Sequence, residues 1–320
     1  MTKVAVILNT YPRPSRLQDL RDVLSSLKRQ TYTNFSVCII ENSKNLKEVQ
    51  SIVDKIQLKQ QVLLLHSQSK RLSTLFNIGW RAINSEYLGY IADDTVADKN
   101  WLRQGVTSLS NSRQAAIVTG PVISTTYPAS EMHRLYLATQ KNWIIKTVTS
   151  PFLYFIFDNK ILNPGMMFES GAYSLGASLS TSQKIKSTDI DLATTTSMII
   201  RRSILMKLKG FDERFTFNHA DGDLFLRIKK LGFRIIFEPK MVVHHKVQIG
   251  PSRDPMIIGK DTALFYKLYL RPHSIKGYIG ACLNIVTFIF YWVYASVRSR
   301  NLKQLEGIKG FLIVYFNRDE

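Results

Sequence analysis

Compact apolar runs alternate with helix-spaced leucines through the first third of the chain. Residues 4–8 form an unbroken apolar run of the kind a buried strand takes. Leu17, Leu20, Leu24 and Leu27 then recur at three- and four-residue intervals, the spacing of one helix face. The alternation continues: a second strand is predicted at 36–40, a polar helix-compatible stretch at about 46–60, and a third strand at 62–65. A helix at 72–83, a strand at 87–91, a helix at 101–109 with Asp98 as its N-cap, and a strand at Ala115–Thr119 follow. Such alternation predicts an α/β fold with a mainly parallel sheet flanked by helices. Sheets of this type bind ligands beyond the carboxyl ends of their strands.

The rhythm breaks at 124–190, which is rich in Tyr, Trp, Phe and Ser and holds Pro128, Pro151 and Pro164, so it reads as an irregular aromatic insertion. Strand character returns at 193–200, a helix is predicted at 221–231, a short strand at Arg234–Phe237 and strand-like residues at 241–243. Near the C-terminus, 279–297 contains no charged residue and is flanked by Lys276, Arg298 and Arg300. As a helix rising ~1.5 Å per residue it would be roughly 28 Å long, close to a bilayer core. Tyr291, Trp292 and Tyr294 suit an interface. A buried helix hairpin or an oligomer contact is the alternative, and basic residues at both ends leave the orientation open. The expected organisation is one α/β domain over 1–250, carrying the insertion, then a C-terminal helical segment over 251–320 that associates with membrane or forms a homo-oligomer.

Charge adds a partner. Lys and Arg number 43 against 24 Asp and Glu, a net charge of +19, which favours an anionic surface or phosphorylated substrate. No zinc-finger spacing, RNA-binding aromatic signature or basic zipper occurs, so no nucleic-acid partner is expected. Trp143, Phe152, Tyr154, Phe155 and Phe157 lie near Lys141, Lys146 and Lys160, a composition fitting either an anionic lipid surface or a buried subdomain core. Two distant cysteines, Cys38 and Cys282, make a disulfide framework improbable and suit a reducing compartment. The opening MTKVAVILNTYPRP enters a strand at once, and no signal peptide is expected there.

Three features carry candidate chemistry. Asp93-Asp94 closes an apolar strand, where carboxylates can hold Mg²⁺ or Mn²⁺ together with substrate phosphates; a solvated turn is the plain alternative. Asp221 lies near a predicted helix N-terminus, whose dipole favours the ionised form that a general base requires. Asp223 stands four residues before Arg227, which suits a pair on one helix face. His244-His245 follows a strand, so one of the two can face a site.

The order of these features resembles the family 2 glycosyltransferases and their GT-A fold. Val6-Ile7-Leu8-Asn9-Thr10-Tyr11-Pro12-Arg13-Pro14 is similar to the family's opening strand and loop. Ile39-Ile40-Glu41-Asn42-Ser43 is similar to its base-binding turn, Asn77-Ile78-Gly79 precedes the Asp-X-Asp region at Asp93-Asp94, and 210–215 with 221–227 match its acceptor-side segment. The resemblance covers roughly 3–123 and 193–246. It implies an inverting single displacement from a nucleoside-diphosphate-sugar donor to a hydroxyl of a glycan or lipid-linked acceptor; with the apolar helix, the basic charge and the cysteine usage, the expected place is the cytoplasmic side of a membrane. Thr10, Tyr11, Arg13, Glu41, Asn77 and Asp93 would then face the nucleotide. Asp94, with His244 or His245, would hold Mn²⁺ or Mg²⁺; Asp221 would be the base, and Asp223 and Arg227 would lie on the acceptor side. Glu41 stands where the family has Asp, Ala92 replaces the first Asp of Asp-X-Asp, and Ala220 replaces Glu before the base. Those two alanines are the best support for a non-catalytic nucleotide-sugar-binding scaffold. Sugar-phosphate nucleotidyltransferases normally carry a glycine-rich phosphate loop, and 9–17 contains no glycine.

Overall fold

The computed structural model describes residues 3–11, 16–43, 45–124, 139, 141–174, 185–246 and 254–317. The first third runs β1 (Val4–Thr10), α1 (Leu17–Lys28), β2 (Phe35–Glu41), α2 (Leu46–Ile56), β3 (Val62–His66), α3 (Leu72–Ala82), β4 (Tyr87–Ala92), β5 (Thr95–Ala97), α4 (Trp101–Asn111), β6 (Ala115–Thr119) and β7 (Val122–Ser124). Next come α5 (Trp143–Phe157), β8 (Met166–Met167), β9 (Tyr173–Ser174), β10 (Thr188–Asp189), β11 (Ser197–Arg201), α6 (Arg202–Lys207), α7 (Ala220–Lys230), β12 (Arg234–Phe237) and β13 (Val243–His245). The chain closes with α8 (Pro255–Tyr269), α9 (Ile275–Ser299), a 3₁₀ turn (Leu302–Leu305) and α10 (Glu306–Phe316).

Two compact units emerge. One comprises Met1–Pro128, Ser178–Glu213 and Asp221–Gln248; the other comprises Ala129–Ala177, Arg214–Ala220 and Ile249–Glu320. The first is built on an eight-stranded sheet ordered β10-β12-β6-β11-β4-β1-β2-β3. β4, β1, β2 and β3 are mutually parallel, while β11 runs antiparallel between β4 and β6. Alternation along β1 sorts its side chains: Val4, Val6 and Leu8 join Leu20, Leu24 and Leu27 of α1 and Trp101 of α4 in one buried cluster. On the opposite face α3 approaches so closely that a Cβ on Gly79 would lie 2.6 Å from Ile7 Cγ2. A three-stranded sheet, β5-β13-β7, stands beside the site end of β4.

Three local features differ from the periodicity reading. The N-cap of α4 is Asn100, with Asp98 two residues earlier accepting the Asn100 N–H at 2.9 Å. The strand expected from 193 begins at Ser197. The stretch 124–190 contains a fifteen-residue helix, α5, capped by the Asn142 side chain on Ile144 N and Ile145 N at 2.9 and 3.2 Å. Apolar residues surround α5 on nearly every side and Pro151 sits within it, so neither an amphipathic period nor propensity reveals it. In the second unit α5 packs on α9, and α8 packs along α10. The α8–α10 approach depends on small residues: a Cβ on Gly259 would fall 2.0 Å from the Gly307 carbonyl oxygen.

Candidate active site

The carboxyl ends of β1, β2 and β4 form one row. Register pairs Thr10 with Glu41 and Asn9 with Ala92, and one step further sets Thr10 beside Asp93. There the Thr10 hydroxyl donates to Asp93 Oδ2 at 3.0 Å. β11 meets β4 antiparallel with Ser197 opposite Ile91, so the chain entering β11 and the chain leaving β4 lie at the same end of that ladder. The Thr195 N–H donates to Asp221 Oδ2 at 3.4 Å, and the Gly222 N–H to Asp221 Oδ1 at 2.9 Å. Asp221, in the first turn of α7, is thereby tied to the sheet end that carries Asp93-Asp94.

The Asp pair is buried and shares one cation. Arg16 Nη1 lies 3.4 Å from Asp93 Oδ1 and Nη2 lies 3.3 Å from Asp94 Oδ2. Burial, reinforced by the Asp94 charge, pushes Asp93 up to about 6 despite Arg16 and Thr10. At Asp94 burial also pushes upward, but His245 and Arg16 outweigh it and hold the carboxyl below its ordinary value. Two adjacent carboxyls thus differ in charge preference. His245 reaches Asp94 from β13, with Nε2 3.0 Å from Oδ1, and the Lys246 N–H donates to the Asp94 carbonyl at 2.8 Å. Lys246 also pairs with Asp22 and, at 3.6 Å, with Asp19 of α1, which fixes the strand end that presents His245. His244, its neighbour on the strand, is exposed.

The other anticipated residues occupy distinct positions. Tyr11 is 43% exposed just past β1, the accessibility a stacking ring needs, and Arg13 lies outside the described residues. Glu41 is fully buried: Oε1 accepts from the Ser43 N–H, the Ser43 hydroxyl and, at 3.2 Å, the Asn45 N–H, while Oε2 meets His66 Nδ1 at 2.7 Å. Burial raises its pKa, but the Ser43 and His66 hydrogen bonds prevail and hold it low. This carboxylate shapes its own turn. Asn77 is 1% exposed, donating to the Phe211 carbonyl and Glu213 Oε1 and accepting from Phe211 N–H and Trp80 Nε1, all at 2.8–3.0 Å. With its donors and acceptors so occupied, Asn77 pins the 210–213 loop to α3. Asp223 holds Arg227 at 2.6 Å, and Arg227 in turn donates to the carbonyls of Leu208 and Gly210 at 3.2 and 3.1 Å. That pair holds the turn after α6.

Sequence reasoning missed Arg16, Thr195 and Lys246. Arg16 had a signal: it sits at the N-cap of α1 without capping it, and a cation there opposes the helix dipole. A residue that breaks a local rule is a functional candidate. Thr195 acts through its backbone, which no side-chain motif can announce.

The sequence model described as "Glycosyl transferase family 2" matches residues 5–178, more than half the chain. This chain belongs to glycosyl transferase family 2. Its reaction class is therefore glycosyl transfer, and its sheet is of the GT-A type. Similar solved structures include S. aureus TarS 1–349 in complex with UDP, at 14% identity and TM-score 0.54, covering 86% of this chain and 68% of that one. The mannosyltransferase PcManGT from Pyrobaculum calidifontis, in complex with GDP-Man and Mn²⁺, is 13% identical at TM-score 0.57, covering 99% and 88%. GalNAc-T7 with UDP, GalNAc and Mn²⁺ is 13% identical at TM-score 0.60, covering 84% of this chain and 48% of that one. Likeness at these identities speaks to fold alone. No curated protein matches the chain.

A divalent ion fits the donor set of this family 2 member. Cis ligands each ~2.1 Å from an octahedral ion stand ~3 Å apart, and Asp94 Oδ1 and His245 Nε2 are separated by 3.0 Å. Among the described residues no group of three or more His, Cys, Asp and Glu side chains gathers to hold a metal. An ion held by Asp94 and His245 would complete its shell with water and substrate oxygens, the usual habit of Mg²⁺ at phosphate sites.

Proposed function

We propose that the chain transfers a sugar from a nucleoside diphosphate to a hydroxyl acceptor by inverting single displacement, with 1–250 as the catalytic domain and 251–320 as the segment that associates with membrane. The observation that supports this reading is that both carboxylate centres are anchored at the same end of the β4–β11 pair: Asp93-Asp94 follow β4, and Asp221 accepts from the Thr195 N–H just before β11. Asp94 and His245 would hold Mn²⁺ or Mg²⁺, which supplies electrostatic stabilisation of the leaving diphosphate. Arg16 adds a second positive charge beside the same carboxylates. Tyr11 offers a ring for the base, and Glu41 shapes the turn beneath it by binding Ser43 and Asn45. Asp221 receives the acceptor proton as the acceptor oxygen attacks the anomeric carbon; one base suffices because the diphosphate leaves unprotonated. The N-terminal turn of α7 favours the ionised Asp221 this step requires. Asp223 and Arg227 act on the acceptor side by tying α7 to the turn that follows α6.

The acceptor we propose is a glycan or lipid-linked hydroxyl at the cytoplasmic face of a membrane. α9 is one helix long and apolar enough, by length and composition, to cross a bilayer. The test pairs purified chain and Mn²⁺ with a panel of sugar nucleotides and membrane extract. Release of nucleoside diphosphate is expected, and Asp221→Asn should slow it ~10²–10⁴-fold with nucleotide binding retained. Wild-type turnover in Asp221→Asn removes the base assignment. Mn²⁺-dependent nucleotide binding without release from any donor favours the scaffold alternative.

A further inference from the structure

We infer that α9 lies flat in an anionic bilayer surface and does not cross it. The inference rests on the membrane reading above and specifies how that contact is made. Helix α9 has two unlike faces along its whole length. On one, Ile275, Ile279, Val286, Phe290, Val293 and Val297 recur at helical spacing and are exposed, with Ile275, Phe290 and Val297 at 82%, 70% and 73%. This stripe covers about 33 Å at ~1.5 Å per residue. Continuous exposed apolar surface on this scale marks a docking site.

The other face is committed to protein from end to end. At Gly280 a Cβ would lie 2.3 Å from the Phe155 carbonyl oxygen of α5. Asn284 Nδ2 donates to the Ser170 carbonyl at 3.0 Å and to Tyr266 Oη of α8 at 2.8 Å. Phe288 packs on Phe311 of α10 with ring centroids 5.0 Å apart, and a Cβ on Gly307 would meet the Trp292 ring at 2.4 Å. If α9 spanned, these neighbours would enter the hydrocarbon with it. α10 has eleven residues and α5 fifteen, about 16 and 22 Å of helix against a core of about 30 Å, so neither can span. α8 carries Lys260, Asp261 and Lys267, and ionised side chains near a bilayer centre are strongly disfavoured. In the interface plane the same arrangement puts only the apolar stripe into the acyl boundary.

Charge selects the occupant. Arg298, Arg300 and Lys303 surround the C-terminal end of the stripe, and Tyr294, 53% exposed, lies beside Arg298 with Oη 3.4 Å from Nη1. A second copy docked with its helix parallel would set these basic residues against one another, and an antiparallel copy would leave them without an anionic partner across the stripe. Anionic headgroups complement them.

Flotation of the full chain with vesicles of phosphatidylcholine plus phosphatidylglycerol, and of phosphatidylcholine alone, tests the inference. Binding to the mixed vesicles, weaker binding to the neutral ones and full trypsin accessibility of residues 300–317 on the bound chain are expected. The double variant Val286→Asp, Phe290→Asp, altered only at exposed positions, should lower partitioning at least about tenfold while nucleoside diphosphate binding is unchanged. Protection of residues 300–317 from trypsin added outside the sealed vesicles overturns the flat arrangement in favour of a span. Absence from both vesicle fractions overturns it together with the membrane reading, leaving the glycosyl transfer assays untouched. A dimer in light scattering that Phe290→Asp abolishes overturns it by showing a second copy on the stripe.

Discussion

Arg16→Gln separates the two tasks the structure gives this side chain. Its guanidinium lies 3.4 and 3.3 Å from Asp93 and Asp94, so it competes with any cation for their oxygens. A unit charge pair at ~4 Å and an effective dielectric of ~20 interacts by about 4 kcal/mol. The Arg16 side chain is 29% exposed, so screening and desolvation reduce that gross figure; a net coupling of about 1–2 kcal/mol is the reasonable scale. Free Mn²⁺ should then bind Arg16→Gln roughly tenfold more tightly than wild type. A nucleoside diphosphate, having lost a cation beside its phosphates, should bind the Mn²⁺-saturated variant roughly tenfold more weakly. Calorimetric titration with Mn²⁺ alone, then with nucleoside diphosphate at saturating Mn²⁺, measures both. Equal or weaker Mn²⁺ affinity in Arg16→Gln refutes the competition, whatever happens to the nucleotide.

Asp93 is raised from 3.8 to about 6, so the folded chain holds this proton more readily than the unfolded one. Its contribution to stability is therefore most favourable below pH ~4 and declines by roughly 3 kcal/mol as pH rises through about 6. Asp93→Asn should raise the Tm at about pH 7.5 and leave it near wild type at about pH 4; equal shifts in scanning calorimetry at both pH values reject the account. Asn77→Ala leaves the N–H groups of Phe211 and Trp80 buried without their acceptor, and urea denaturation should report a loss of about 3 kcal/mol. A loss below ~1 kcal/mol would mean the loop does not depend on this pin. Buried Asp261 gathers three successive backbone N–H groups, of Thr216, Phe217 and Asn218, at 3.1, 2.8 and 2.8 Å. Asp261→Asn should destabilise the chain by about 2–4 kcal/mol, checked by the same denaturation, and an unchanged midpoint argues against a structural carboxylate.

The parallel half of the sheet was legible because its strands are short apolar runs, and β1, β2 and β3 are each followed by a helix with apolar residues on one face. Asp93-Asp94 was legible for the same reason, as charge placed where an apolar strand must end. Less could be read where partners are remote. The reversal of β11 between β4 and β6 leaves no trace in its own alternation, and the tie between Thr195 and Asp221 is a backbone contact. The sequence divides naturally at 250, whereas the structure groups 129–177 with the C-terminal helices, because the partner of α5 is α9, more than a hundred residues away. Asn77 and Glu41 were noticed through the family pattern, but burial and saturated hydrogen bonding define their local work, and neither is visible in one dimension.

Reversing a single strand has a consequence for how such a protein diversifies. β1, β2 and β4 deliver their trailing residues to the ligand edge, whereas β11 delivers its leading ones. The segment 190–196 therefore reaches that edge from the far side of the chain's itinerary, running from β10, which pairs with β12, to the start of β11. Insertions or rewritten side chains there can retune what is admitted at that edge while the three parallel strands keep their register.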